Sequence, residues 1–150
     1  MKLSVIALLT LLVVLVACQS KGDAAEEAAT AMLCDARALL AEKQYDAARD
    51  TILLLRQKHP TALQTRRTAI VTLDSVELLQ TRDSLAAYEI QLHAAKEGFK
   101  QMAPRVNGQT NEAYYAQQRR VMQMEQHFDE LCAKVKFYLR KIDIDLRENS

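Results

Sequence analysis

With only 3 glycines, 2 prolines and 5% aromatic residues in 150, this chain lacks the material of sheet-rich folds and phosphate-cradling loops. Its 20 basic and 19 acidic residues nearly cancel. That leaves no clustered positive excess for a polyanion, so nucleic acid is not an expected partner.

Lys2 is the only charge before Lys21, and an apolar run broken only by Ser4 and Thr10 fills residues 3–17. A basic start followed by an apolar run of this length predicts a secretory signal peptide over 1–17. A membrane-spanning helix needs about 20 apolar residues, more than this run supplies. The run closes on Leu15-Val16-Ala17-Cys18, with a small residue just before the cysteine.

These four residues resemble the lipobox of bacterial lipoproteins. The resemblance implies that a diacylglycerol alkylates the Cys18 thiol, that the signal is cut before Cys18, and that the new amine is acylated, for instance with palmitate. Each buried methylene adds about 0.8 kcal/mol, so several acyl chains make a lasting anchor. The implied location is the cell envelope. Gln19, where an enterobacterial retention signal would have Asp, fits the outer membrane, with periplasmic and surface sides both open. Removing residues 1–17 takes away one lysine and no acid, which leaves 19 acidic residues facing an equal number of bases.

Residues 18–25 are small and polar and read as a lipidated tether, with residues 26–150 as one all-helical domain. Glu26-Glu27 reads as solvated helix surface. A first helix is expected from about Glu26 to Glu42, with Ala36, Leu39 and Leu40 at helical spacing. Lys43-Gln44-Tyr45 is a tight break. A second helix, opened by Asp46, lines its inner face with Ala48, Ile52 and Leu55 and stops at His59-Pro60.

Ala36, the turn Tyr45-Asp46-Ala47-Ala48, Ile52, Leu55 and Pro60 together make residues 29–60 resemble one tetratricopeptide repeat, whose period is 34 residues. The departures are Met32 and Leu39 at aromatic positions and a turn without its glycine. The repeat does not recur, and a groove of that family needs about three stacked repeats. The resemblance therefore implies a helical hairpin (26–60) and not a peptide-binding groove.

From Thr61 or Ala62 to about Met102 the chain reads as one helix. Val71, Leu78, Leu85, Leu92 and Phe99 recur every seventh residue, and Tyr88, Ala95 and Met102 add a second seam position. Ala103 to Asn111, with Pro104, Asn107 and Gly108, is a loop. A last helix from about Glu112 to Arg147 carries Val121, Met124, Phe128, Leu131, Val135, Tyr138 and Ile142 in alternating steps of three and four.

In an antiparallel hairpin, facing residues have a constant sum of numbers. Phe99 with Tyr114, Leu92 with Val121, Leu85 with Phe128, Leu78 with Val135 and Val71 with Ile142 obey it. Tyr88 with Met124, Thr81 with Leu131 and Arg67 with Asp145 do so one residue lower. The expected fold is all-α: the TPR-like hairpin packed on the base of a long antiparallel two-helix coiled-coil hairpin (61–150), with arms of about 50 Å. Cys132, Leu139 and Leu146 widen the last helix's apolar face, which asks for a further neighbour.

Candidate chemistry is sparse. His59, His93 and His127 do not converge, with His127 expected opposite Ala86. No histidine pair has metal-ligand spacing and no CxxC occurs, so no metal site or other cofactor is expected. Met122, Met124 and His127 read as seam and flank instead of soft-metal ligands. Cys34 and Cys132 sit on apolar helix faces and are expected as buried free thiols, the alternative being a disulfide in an exported compartment.

No catalytic residues, and hence no enzyme, are expected. The expected function is a lipid-anchored envelope protein that acts by protein–protein contact, as scaffold or assembly subunit. Alternatives are a self-associating spacer or a small-ligand or metal-binding lipoprotein. Expected partners are membrane lipid through Cys18 and either an envelope protein or a second copy of the chain. Tyr115, Arg119 and Arg105, near the tip of the long hairpin, are the candidate contact residues.

Overall fold

The computed structural model describes residues 2–106 and 109–148, with side chains over 22–104 and 109–148. The chain is all-α: α1 (Lys2–Ala41), α2 (Tyr45–Lys58), α3 (Leu63–Lys100) and α4 (Glu112–Glu148). Between α3 and α4 lies a two-residue antiparallel ladder, β1 (Arg105–Val106) on β2 (Gln109–Thr110), in register Arg105 with Thr110 and Val106 with Gln109. Contacts divide the chain into two compact units, Met1–Val76 and Glu77–Glu148.

α1 does not start at about Glu26, where the first helix is expected. Its backbone is helical through residues 18–25 and on to Ala41. Ala24 to Ala29 offers only alanine and glutamate, strong helix formers, and a lone Gly22 costs about 1 kcal/mol, too little to end a helix anchored by packing downstream.

The first unit is built on small residues. Ala29, Ala36, Ala48, Ala62 and Ala69 are fully buried, and they let the helix backbones approach closely. Ile52, Leu55 and Val76 are the largest fully buried side chains, and Met32, Leu39, Leu40, Tyr45 and Leu73 pack at the margin. The inner face of α2 is Ala48, Ile52 and Leu55, as its spacing predicts. Cys34 is exposed, contrary to the buried thiol expected. The buried face of α1 runs Ala29, Leu33, Ala36, and Cys34 lies about 100° around the helix from Leu33.

The turn between α1 and α2 works without glycine. The Gln44 N–H donates to the Leu39 carbonyl at 2.9 Å and the Lys43 N–H to that of Leu40 at 3.0 Å. This is the Schellman pattern, and it holds Lys43 at φ 59°, in the left-handed region. α2 ends at His59, whose φ −121° and ψ 63° lie outside the helical region ahead of Pro60.

α3 begins against α1. The Gln64 and Thr65 N–H groups donate to the two carboxylate oxygens of Glu26, at 3.0 and 3.1 Å. The Thr65 hydroxyl donates to the same carboxylate at 2.7 Å. Glu26 is therefore no solvated surface residue, because it caps the helix that starts 37 residues later. Thr65's hydroxyl, the largest influence, holds the Glu26 carboxyl below the ordinary glutamate range; desolvation opposes it, and the two backbone N–H groups add to the lowering. Further along, Thr30 meets Thr65 at 3.0 Å and Arg37 Nε donates to Thr72 at 3.4 Å. Both pairs are 35 residues apart, and a constant difference means that α1 and this part of α3 run parallel.

In the second unit, the rings of Phe99 and Tyr114 lie 4.9 Å apart, the pairing that the constant sum predicts. Gln117 Nε2 donates to the Ala95 carbonyl at 3.3 Å. Leu78, Leu92 and Val121 are buried. Met124, Phe128, Leu131, Val135, Tyr138 and Ile142 are half-buried, and the residues between them are mostly exposed. Thr81, buried in the seam, satisfies its hydroxyl on the Glu77 carbonyl at 2.7 Å. In the wider stripe Cys132 is half-buried, whereas Leu139 and Leu146 are 52% and 53% exposed.

Candidate interaction surfaces

The hairpin tip is set by one side chain. Asn111 Nδ2 donates to the Ala103 carbonyl at 2.8 Å, its own N–H donates to Pro104 at 3.0 Å, and its Oδ1 accepts the Tyr114 N–H at 3.3 Å. Asn111 thus caps α4 and ties the loop to it, which positions Tyr114 on Phe99. Tyr115 stands edge-on to Tyr114, ring centroids 5.1 Å apart, and remains 36% exposed. Arg119, one turn on, is exposed on the same face of α4. The structure thus brings together two of the three residues expected at the tip. Arg105 contributes backbone to β1, and its side chain lies outside the described residues, as does that of Cys18 within α1.

Sequence reasoning missed two features near the tip. The ladder falls in the stretch that the sequence assigns to loop, although Asn107-Gly108 between Val106 and Gln109 is a hairpin-turn signal. The other is an open groove of about 490 Å³ on the hairpin, lined by Glu89, Leu92, His93, Lys96, Glu125, Phe128 and Asp129. Lys96 and Glu125 close to 2.7 Å across it. Glu89, His93 and Lys96 occupy one face of α3 at steps of three and four, which is the signal that would have found it.

His127 was expected opposite Ala86. Its ring meets Tyr88, two residues from Ala86, edge-on at 4.8 Å, with Glu130 at 3.4 Å. Glu97 sits below the ordinary glutamate range through its hydrogen bond and ion pair with Lys100 at 2.7 Å, helped by His93. Among the described residues no group of three His, Cys, Asp or Glu is placed to hold a metal ion. Among them, too, no helix is long and apolar enough to cross a membrane.

The first unit carries a different surface. Arg56 of α2 and Arg66 and Arg67 of α3 ring a depression of about 200 Å³, with Leu63 and Ile70 as its apolar lining. Arg66 Nη1 donates to the Pro60 carbonyl at 2.7 Å, while its Nε is buried without a partner.

Comparison of the chain with protein-family models, with curated proteins and with solved structures gives no match.

Proposed function

We propose that this is a lipid-anchored cell-envelope protein, held by an acylated Cys18 and acting by protein–protein contact as a scaffold or assembly subunit. The observation that carries the anchor is the sequence Leu15-Val16-Ala17-Cys18 at the end of an apolar run with a basic start. Gln19 favours the outer membrane as the destination. The first unit supports a TPR-like reading: α1 and α3 run parallel at an offset of 35 residues, close to that family's 34-residue period, with alanines at the crossings. The contact surface is the tip face of Tyr115 and Arg119, with Arg105 beside them in sequence.

The test has two parts. Intact mass of the protein from its native membrane should start at Cys18 and carry diacylglycerol plus one further acyl chain. A Cys18→Ala variant should keep its signal and lose the lipid mass. Cross-linking in the native envelope should then join the tip to a foreign protein, and alanine at Arg105, Tyr115 and Arg119 should abolish that link. An unprocessed, unacylated wild-type N-terminus rules out the anchor. Retained cross-links in the triple variant rule out the tip.

One observation favours a second reading, self-association as a spacer. Leu139 and Leu146 on α4, 52% and 53% exposed, form an apolar pair beside the seam, and Phe137 and Ile144, 58% and 44% exposed, form a second pair on the opposite side of the helix. Light scattering on the detergent-solubilised protein separates the two, since a strict monomer over the whole concentration range removes the spacer.

A further inference from the structure

Three arginines around one depression need an explanation. Among the described residues Arg56, Arg66 and Arg67 form no ion pair, and the nearby Glu26 carboxylate is committed to Gln64, Thr65 and the start of α3. Between them lie Leu63, 62% exposed, and Ile70, 36% exposed. A cationic rim on an apolar floor suits a ligand that is anionic at one end and greasy at the other.

The position narrows the ligand. α2 ends and α3 begins at the Glu26 end of α1, fixed by the hydrogen bonds from Gln64 and Thr65. Glu26 follows Cys18 by eight residues. That stretch reaches about 28 Å at full extension and about 12 Å as a helix. An anchor at Cys18 would therefore hold the Glu26 end of α1, where this depression lies, within about one to three Debye lengths of the headgroup layer.

We infer that Arg56, Arg66 and Arg67, with Leu63 and Ile70, form a docking surface for anionic phospholipid headgroups, so that the first unit lies against the membrane that Cys18 is anchored in. This rests on the lipid-anchor reading. The arginines bind lipid phosphate while Leu63 enters the interface. Each arginine near an anionic surface contributes about a fivefold bias. The three together shift the docked-to-free ratio on the order of 100-fold.

The chain has no tryptophan, so Leu63→Trp is a single reporter at an exposed position. The full processed protein, purified from membranes and weighed intact, is reconstituted in vesicles of phosphatidylcholine alone or mixed with phosphatidylglycerol. Some acyl chains are brominated to quench the tryptophan. The expected result is blue-shifted, quenched emission in the anionic vesicles only, reversed by 1 M salt. Arg56→Gln with Arg67→Gln, which spares the Arg66 bond to Pro60, should lower the docked-to-free ratio about 25-fold.

Equal emission in both vesicle types, or no change in the double variant, overturns the docking surface and leaves the anchor standing. A response to soluble polyglutamate but not to anionic vesicles also overturns it, in favour of an acidic protein. A chain without acyl mass that still shows phosphatidylglycerol-dependent quenching keeps the arginine surface and removes the anchor.

Discussion

The two units are written in nearly the same helical code and end up covered to different depths. In the first, three helical segments surround a centre, and eight side chains from Ala29 to Val76 reach zero exposure. In the second, among the described residues, no apolar side chain falls below Leu92 at 6%. The difference is the number of neighbours. A helix with two partners can hide a face, while a helix with one can only shade a seam. Alanine deepens the contrast, because buried alanines bring backbones together and leave the few large residues, Ile52, Leu55 and Val76, enclosed.

The largest expected effect tests that contrast directly. Ile52→Ala should cost about 2–5 kcal/mol in urea unfolding, through lost transfer energy and a cavity in a close-packed centre. Leu85→Ala, in the half-covered seam, should cost about 1 kcal/mol. Equal costs would break the comparison.

Next is overpacking. Ala48→Leu should lose about 1–3 kcal/mol by forcing α1 and α2 apart, whereas the same change at the exposed seam-flanking Ala116 should be nearly neutral. Thermal melts of the two variants give the measurement.

Smaller effects lie at the turns. Asn111→Ala should cost about 1 kcal/mol and raise amide exchange at Tyr114 in the second unit only. Lys43→Gly should stabilise the first unit by about 1 kcal/mol, because it removes a side chain from a left-handed backbone. Hydrogen exchange resolved by unit is the measurement for both.

The smallest is a pH effect. The Glu26 carboxyl is held below its unfolded value, so its contribution is present above the unfolded pKa. It is lost as pH falls through the lower folded one. Glu26→Gln should therefore melt earlier than the natural chain near neutrality. The gap should close below about pH 4. A gap that is constant with pH would mean that charge has no part in capping α3.

Much of this architecture is legible in residue spacing. The steps of three and four from Val121 to Ile142 mark the covered side of α4, and the constant sum pairs Phe99 with Tyr114 before any coordinates are seen. Periodicity reports which side of a helix is covered. It does not report how deeply, so Leu139 and Leu146, at positions that fit a wider face, stand more than half exposed. Capping across 39 residues is equally invisible, since Glu26 next to Glu27 in a row of alanines looks like any solvated helix surface. The arginine depression is hidden for the same reason. Arg56 and Arg67 meet only because α2 and α3 are brought side by side, which no local pattern states.

The facing rule has a consequence for length. Because partners in the second unit pair by constant sum, seven residues can leave α3 at 85–91 and seven leave α4 at 122–128 without altering a single remaining pair. The tip, with Asn111 and the Phe99–Tyr114 stack, would simply move in by about 10 Å. Removing seven from only one helix would mismatch every pair on one side of the cut. The hairpin is thus a measure graduated in heptads, adjustable by matched steps to whatever distance must be spanned.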